Sequence, residues 1–177
     1  MGNADNVFLQ RAHLPFALVF VALLTSLGYI PTQSDFGLIM VLFIPAFLLY
    51  VYICQSAEEK KQVVFWIGAG VLTRFILVFA FPNLSDDIYR FVWDGTLLVN
   101  DVNPFEQLPG HYLGPEYHIP GIDEDLYNEL NSPNYFTIYP PIAQTVFAAA
   151  VSFAGDNLAL SSILMKVFLL ALSLIHI

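Results

Sequence analysis

Residues 84–95 read Leu84-Ser85-Asp86-Asp87-Ile88-Tyr89-Arg90-Phe91-Val92-Trp93-Asp94-Gly95, directly after an apolar run that closes on Phe81-Pro82. Ser85 is a natural helix N-cap, which puts Asp86 and Asp87 in the first turn, where the helix dipole favours negative charge. Arg90 lies four residues after Asp86, three after Asp87 and four before Asp94. The spacing predicts that all four charges share one helix face as neighbours. Ile88, Phe91, Val92 and Trp93 give the same helix an apolar surface to lie on. Two adjacent carboxylates just outside a hydrophobic run are the feature the rest of the chain has to explain.

Working outward, the chain is 57% hydrophobic with 16 phenylalanines and only 6 Lys and Arg among its 177 residues. That composition excludes an ordinary soluble domain and places the chain among membrane proteins. A net charge of −9 with no basic stripe argues against nucleic acid as a partner. The single cysteine, Cys54, ends an apolar run, so no disulfide framework and no CxxC site exists.

Five apolar runs are expected to cross or enter a bilayer, at about 14–30, 36–54, 63–81, 141–154 and 158–177. The first is longer than a signal-peptide core, and no small-x-small cleavage site follows Ile30, so it reads as a retained span. The run 141–154 is short for a span and also suits a tilted, re-entrant or interfacial helix. Pro141 fits a first helical position. Arg11 before the first run and Lys60-Lys61 between the second and third favour a cytoplasmic N-terminus. Three crossings then put residues 82–140 outside. The expected fold is all-α: a polytopic transmembrane helical protein, one membrane domain over residues 1–177, with a large extracytoplasmic loop of short helices between spans three and four. The apolar run at the C-terminal end stops without a cap or polar tail, which leads us to expect an N-terminal fragment of a longer chain.

The 82–140 segment has Arg90 as its sole Lys or Arg but holds Phe105, Tyr112, Tyr117, Tyr127, Tyr135, Phe136 and Tyr139. A segment so long and so aromatic reads as functional rather than disordered. Asn103-Pro104-Phe105 and Leu108-Pro109-Gly110 mark turns, and 123–131 is expected to form a short helix.

The acidic stretch, followed by Val102-Asn103-Pro104-Phe105 and by Ile138-Tyr139-Pro140-Pro141 with Gln144, resembles the first extracytoplasmic loop of bacterial GT-C glycosyltransferases. The similarity is to polyprenyl-phosphate-mannose-dependent mannosyltransferases and their family-87-like relatives, from the third apolar run through Gln144. The resemblance implies a multi-span membrane enzyme that takes a sugar from a polyprenyl-phosphate donor, usually with inversion. The acceptor would be a glycan or glycolipid hydroxyl, with mannose the expected sugar. It places the catalytic base at Asp86 and Asp87, with Arg90, Asp94 and Tyr139 as further motif positions that would contact substrate. Such enzymes usually have about twice as many spans as this chain offers, so the chain alone is not expected to make a complete enzyme.

Each signal has a plainer reading beside it. Asp86 and Asp87 suit general-base catalysis, with one group as base and the other orienting substrate or holding a divalent cation, Mg or Mn. Alone they would be read as N-terminal capping acids. Arg90 and Asp94 suit an intrahelical salt-bridge ladder as well as substrate contact. Arg74, inside the third run, either reaches the outer interface to bind a donor phosphate or snorkels to lipid headgroups. Lys166 has the same two readings. His111, Glu116 and His118 lack the helical spacing of a zinc site, and Asp123-Glu124-Asp125 reads as a solvated helix start. Asn83-Leu84-Ser85 matches a glycosylation sequon but hugs the end of the apolar run, where capping is the simpler role. Two alternatives come from other classes: a membrane transporter or flippase, with Arg74 and Lys166 lining a path, and a non-catalytic membrane subunit whose acidic loop binds a partner.

Overall fold

A computed structural model describes the backbone of residues 2–175 and the side chains of residues 13–175. All its regular structure is helical: α1 (Gly2–Tyr29), α2 (Phe36–Ser56), α3 (Lys60–Val78), α4 (Asp87–Val99), a 3-10 turn at Pro109–Leu113, α5 (Glu124–Asn128), α6 (Pro141–Ala154) and α7 (Leu158–Ile175). Three of these, α2, α3 and α7, are long and apolar enough to cross a membrane. The apolar part of α1, His13–Tyr29, and α6 are shorter.

Several boundaries differ from those expected. The α1 backbone is already helical from Gly2, through residues that read as a polar lead-in, and it carries Pro15 in its interior. The Arg11 side chain, used above for orientation, lies outside the described residues. Helix α3 begins at Lys60 instead of Val63, because the Gln62 side chain reaches back to accept the Glu59 backbone N–H at 3.2 Å and that of Glu58 at 3.1 Å. The α2–α3 connection is therefore shorter than the composition suggests. Helix α3 also ends at Val78, three residues early. Helix α6 keeps its expected bounds with Pro141 at its start, and the short helix expected over 123–131 is α5, capped by Asp123, which accepts the Leu126 N–H at 2.8 Å.

The chain divides into two compact units, residues 1–84 with 173–177, and residues 85–172. In the first, α1 packs on both α2 and α3. Phe16 meets Tyr52 across α1–α2, while His13 and Phe20 set their rings edge-on to Trp66 of α3. The Tyr29 hydroxyl donates to the Ile76 carbonyl at 2.7 Å, adding to the weak 3.4 Å bond this carbonyl accepts from the Phe79 N–H in the last turn of α3. The Pro31–Asp35 turn closes on Asp35, whose carboxylate accepts the Thr32 N–H and hydroxyl. Those two bonds, the backbone one foremost, lower its pKa. Leu18, Phe36, Val41, Leu48 and Phe79 point outward, each more than 60% exposed. Apolar side chains on that scale suit a lipid solvent and would be costly in water.

The second unit is built on α4. Trp93 and Leu97 are fully buried with Tyr112 and Leu130, and Tyr89, Val102, Leu126 and Tyr127 close over them. Burying each such side chain stabilises by roughly 1.5–3 kcal/mol. The opposite side of α4 presses on α6. A Cβ on Gly95 would lie 2.7 Å from the Phe147 carbonyl oxygen, so a glycine is what lets the two backbones approach. Next to that contact Phe91 stacks on Phe147 at 4.4 Å.

Candidate functional site

The acidic pair stands at the start of α4. Asp86 is the N-cap residue and Asp87 the first helical one, so the helix begins a residue later than Ser85 capping implies. The Ser85 hydroxyl still accepts the Asp87 N–H, at 3.3 Å. Asp86 is exposed, whereas Asp87 is half-buried.

The expected ladder of four charges forms on its C-terminal side only. Arg90 and Asp94 are buried and joined, Nε to Oδ1, at 2.9 Å. Neither Asp86 nor Asp87 makes an ion pair among the described residues. Arg90 spends another donor, Nη1, on the carbonyls of Ser132 at 3.2 Å and Tyr135 at 3.1 Å. The second oxygen of Asp94 accepts from the hydroxyl of Thr137 and from Gln144 Nε2 at 2.8 Å, and Gln144 also donates to Thr137 at 3.0 Å. A buried ion pair is tolerated when other polar groups share its load, and here both oxygens of Asp94 and the Nε and Nη1 donors of Arg90 have partners within the protein. The pair thereby fastens the 132–137 segment and α6 onto α4.

That fastening shapes the surroundings of Asp87. Asn131, one residue before the clamped Ser132, donates Nδ2 to Asp87 Oδ1 at 2.7 Å across 44 residues of sequence. Asp87 Oδ2 has no hydrogen-bond partner among the described residues. Tyr139 leans edge-on against Phe91 at 4.9 Å and Phe147 at 5.6 Å. Its pKa is raised, first by burial and then by the negative charge of Asp87, with Arg90 opposing and Asp94 adding. Tyr89 is raised too, by burial, then by Glu129 and Asp86. Tyr139 feels Asp87 on the α6 side of α4, and Tyr89 feels Glu129 and Asp86 on the side of Trp93.

Of the residues named from sequence, Asp86 and Asp87 stand at the head of α4, and Tyr139 lies near enough to feel the charge of Asp87. Arg90 and Asp94 lie beneath, engaged with the protein itself. Arg74 belongs to α3 in the other unit. His111 bonds the Tyr117 hydroxyl at 2.9 Å and His118 Nδ1 the Tyr117 carbonyl at 2.6 Å. No group of three His, Cys, Asp or Glu side chains able to hold a metal gathers among the described residues. A divalent cation on Asp86 and Asp87 would have to draw its remaining ligands from outside the protein. Asn131 and Thr137 were not legible as site residues: Asn131 sits in an unremarkable Asn-Ser-Pro-Asn turn, and only the burial of Arg90 brings it to Asp87.

Comparison with protein-family models, with curated proteins and with solved structures gives no match for this chain.

Proposed function

We propose that the protein is a membrane glycosyltransferase component that moves a sugar, with mannose expected, from a polyprenyl-phosphate donor to a glycan or glycolipid hydroxyl. In this reading the chain is polytopic, its N-terminus and Lys60-Lys61 face the cytoplasm, and the head of α4 faces outside. The observation that carries the proposal is the state of Asp87: one carboxylate oxygen held by Asn131, the other unpartnered, beside Tyr139.

The acceptor oxygen attacks the anomeric carbon, and the bond from that carbon to the donor phosphate breaks, with the electron pair leaving on phosphate. The acceptor proton passes to Asp87 Oδ2. Asn131 fixes the carboxylate plane so that this oxygen faces the reacting hydroxyl. Asp86, exposed on the N-cap, orients substrate hydroxyls, and Tyr139 offers a ring face and a hydroxyl to the sugar. Arg90 and Asp94 act as the clamp beneath the site. A divalent cation, if bound at the pair, would neutralise the departing phosphate.

The test uses membranes from cells expressing the protein, supplied with radiolabelled polyprenyl-phosphate-mannose. Transfer that survives Asp86→Asn but collapses with Asp87→Asn at matched expression supports the reading. Undiminished transfer in both variants removes the catalytic role and favours a binding subunit with an acidic loop.

A further inference from the structure

Arg74 lies four residues before the last residue of α3, in a helix long and apolar enough to cross a membrane. No hydrogen bond or ion pair engages it among the described residues. Its Nη1 lies over Gly70, where an added Cβ would stand 3.2 Å away. The side chain therefore runs back along α3 toward Lys60. At ~1.5 Å per residue, the Val78 end is only ~6 Å from Arg74 and the Lys60 end ~21 Å. Arg74 is exposed and follows the lean of helical side chains toward the N-terminus, which lays its guanidinium along α3 at the level of Gly70.

Along that direction runs a groove of about 620 Å³ among α1, α2 and α3, with Arg74 in its wall. Phe20, Leu24, Ile53, Val63, Trp66 and Leu77 also line it, and no Asp or Glu does. The volume lies within the ~300–1,000 Å³ of ordinary ligand pockets. On α3 alone the lining extends from Val63 to Leu77, about 21 Å of helix. A lone cation on the wall of a long apolar trough has the complementarity of an amphiphile with an anionic head.

We propose that this groove binds an anionic, phosphate-headed membrane lipid, its phosphate on Arg74 and one hydrocarbon chain along the apolar wall toward Val63. Guanidinium and phosphate pair through two parallel N–H···O bonds, which gives the site its preference for phosphate over an uncharged head. Gly70 is the residue that leaves room for the guanidinium. The site rests on α1–α3 and uses neither Asp86 nor Asp87, so it stands or falls apart from glycosyl transfer.

The test is native mass spectrometry of the protein in micelles doped with equal amounts of phosphatidylglycerol and diacylglycerol of the same chains. The wild type is expected to retain phosphatidylglycerol preferentially. Arg74→Gln should cut the ratio by about tenfold, equivalent to ~1.4 kcal/mol, and Arg74→Lys by less. Gly70→Leu, which replaces a poor helix former with a good one, should lower phosphatidylglycerol retention with the helix intact and Arg74 still present. An unchanged ratio in Arg74→Gln overturns the phosphate contact. Unchanged retention in Gly70→Leu overturns the groove as its place. Displacement of the lipid by millimolar inorganic phosphate would mean that the ligand is the free anion, and would overturn the lipid assignment.

Discussion

Arg90 Nε donates to Asp94 Oδ1 at 2.9 Å where 3% and 0% of the two side chains remain exposed. This one pair ties three parts of the second unit together, because Arg90 also donates to the carbonyls of Ser132 and Tyr135 and Asp94 accepts from Thr137 and Gln144. The position of Asn131 on Asp87 follows from it.

Removing one member strands the other. Asp94→Ala leaves a buried guanidinium without its counter-ion and should cost about 3–5 kcal/mol, whereas Arg90→Met with Asp94→Leu should cost much less than that. Unfolding followed by the fluorescence of the buried Trp93 reads both. Equal losses in the two variants would mean that the pair itself, and not the stranded charge, is what matters.

Gly95 and Gly37 make a contrast within the same chain. A Cβ on Gly95 meets the Phe147 backbone, which cannot swing aside as a side chain would, so Gly95→Ala should destabilise by about 1–3 kcal/mol. Gly37 has nothing within 4 Å, and Gly37→Ala should be neutral or stabilise by up to about 1 kcal/mol. Thermal unfolding in detergent compares the two directly.

On the proposed function, Asn131 orients the Asp87 carboxylate and Asp87 does the chemistry. Asp87→Asn should lower sugar transfer by about 10²–10⁴-fold, the usual contribution of a general base. Asn131→Ala should lower it by less than Asp87→Asn does, about 10-fold, with little loss of stability because Asn131 is exposed and water can replace its bond. Transfer rates and unfolding midpoints of the same preparations check both halves of the expectation.

The Tyr139 hydroxyl reports the same arrangement without any substrate. Its raised pKa means that the folded state holds the proton more tightly than the unfolded chain. The resulting stability is present below the unfolded tyrosine value of about 10 and is lost as pH rises through the folded value. Asp87→Asn removes one of the charges that raise it, so the Tyr139 titration should move down. A ¹³Cζ-tyrosine titration, assigned with Tyr139→Phe, follows the shift. An unmoved Tyr139 would place Asp87 too far away to share its site.

The helices were largely legible from the sequence because their signals are local. Pro141 starts α6 and Asp123 caps α5 as residue type and position suggest. Where boundaries slipped, a side chain had chosen its partner: Gln62 turned back onto Glu59 and drew α3 forward. The site was legible only in its acids. Spacing put Arg90 within reach of three aspartates alike, and nothing along the helix says which one it joins.

By itself the sequence determined an all-helical chain built on five apolar runs, of which α2, α3 and α7 prove long and apolar enough to cross a membrane, since hydrophobic run length and helix caps act within a few residues. It also set the acidic start of α4. Tertiary structure alone decided that Arg90 is buried against Asp94 and that Asn131 comes back across 44 residues to hold Asp87. The first of these choices rests on burial, which removes water as a competing partner and drives the charge to a specific neighbour. Which neighbour is within reach depends on how distant segments pack, and that is not written in any local pattern.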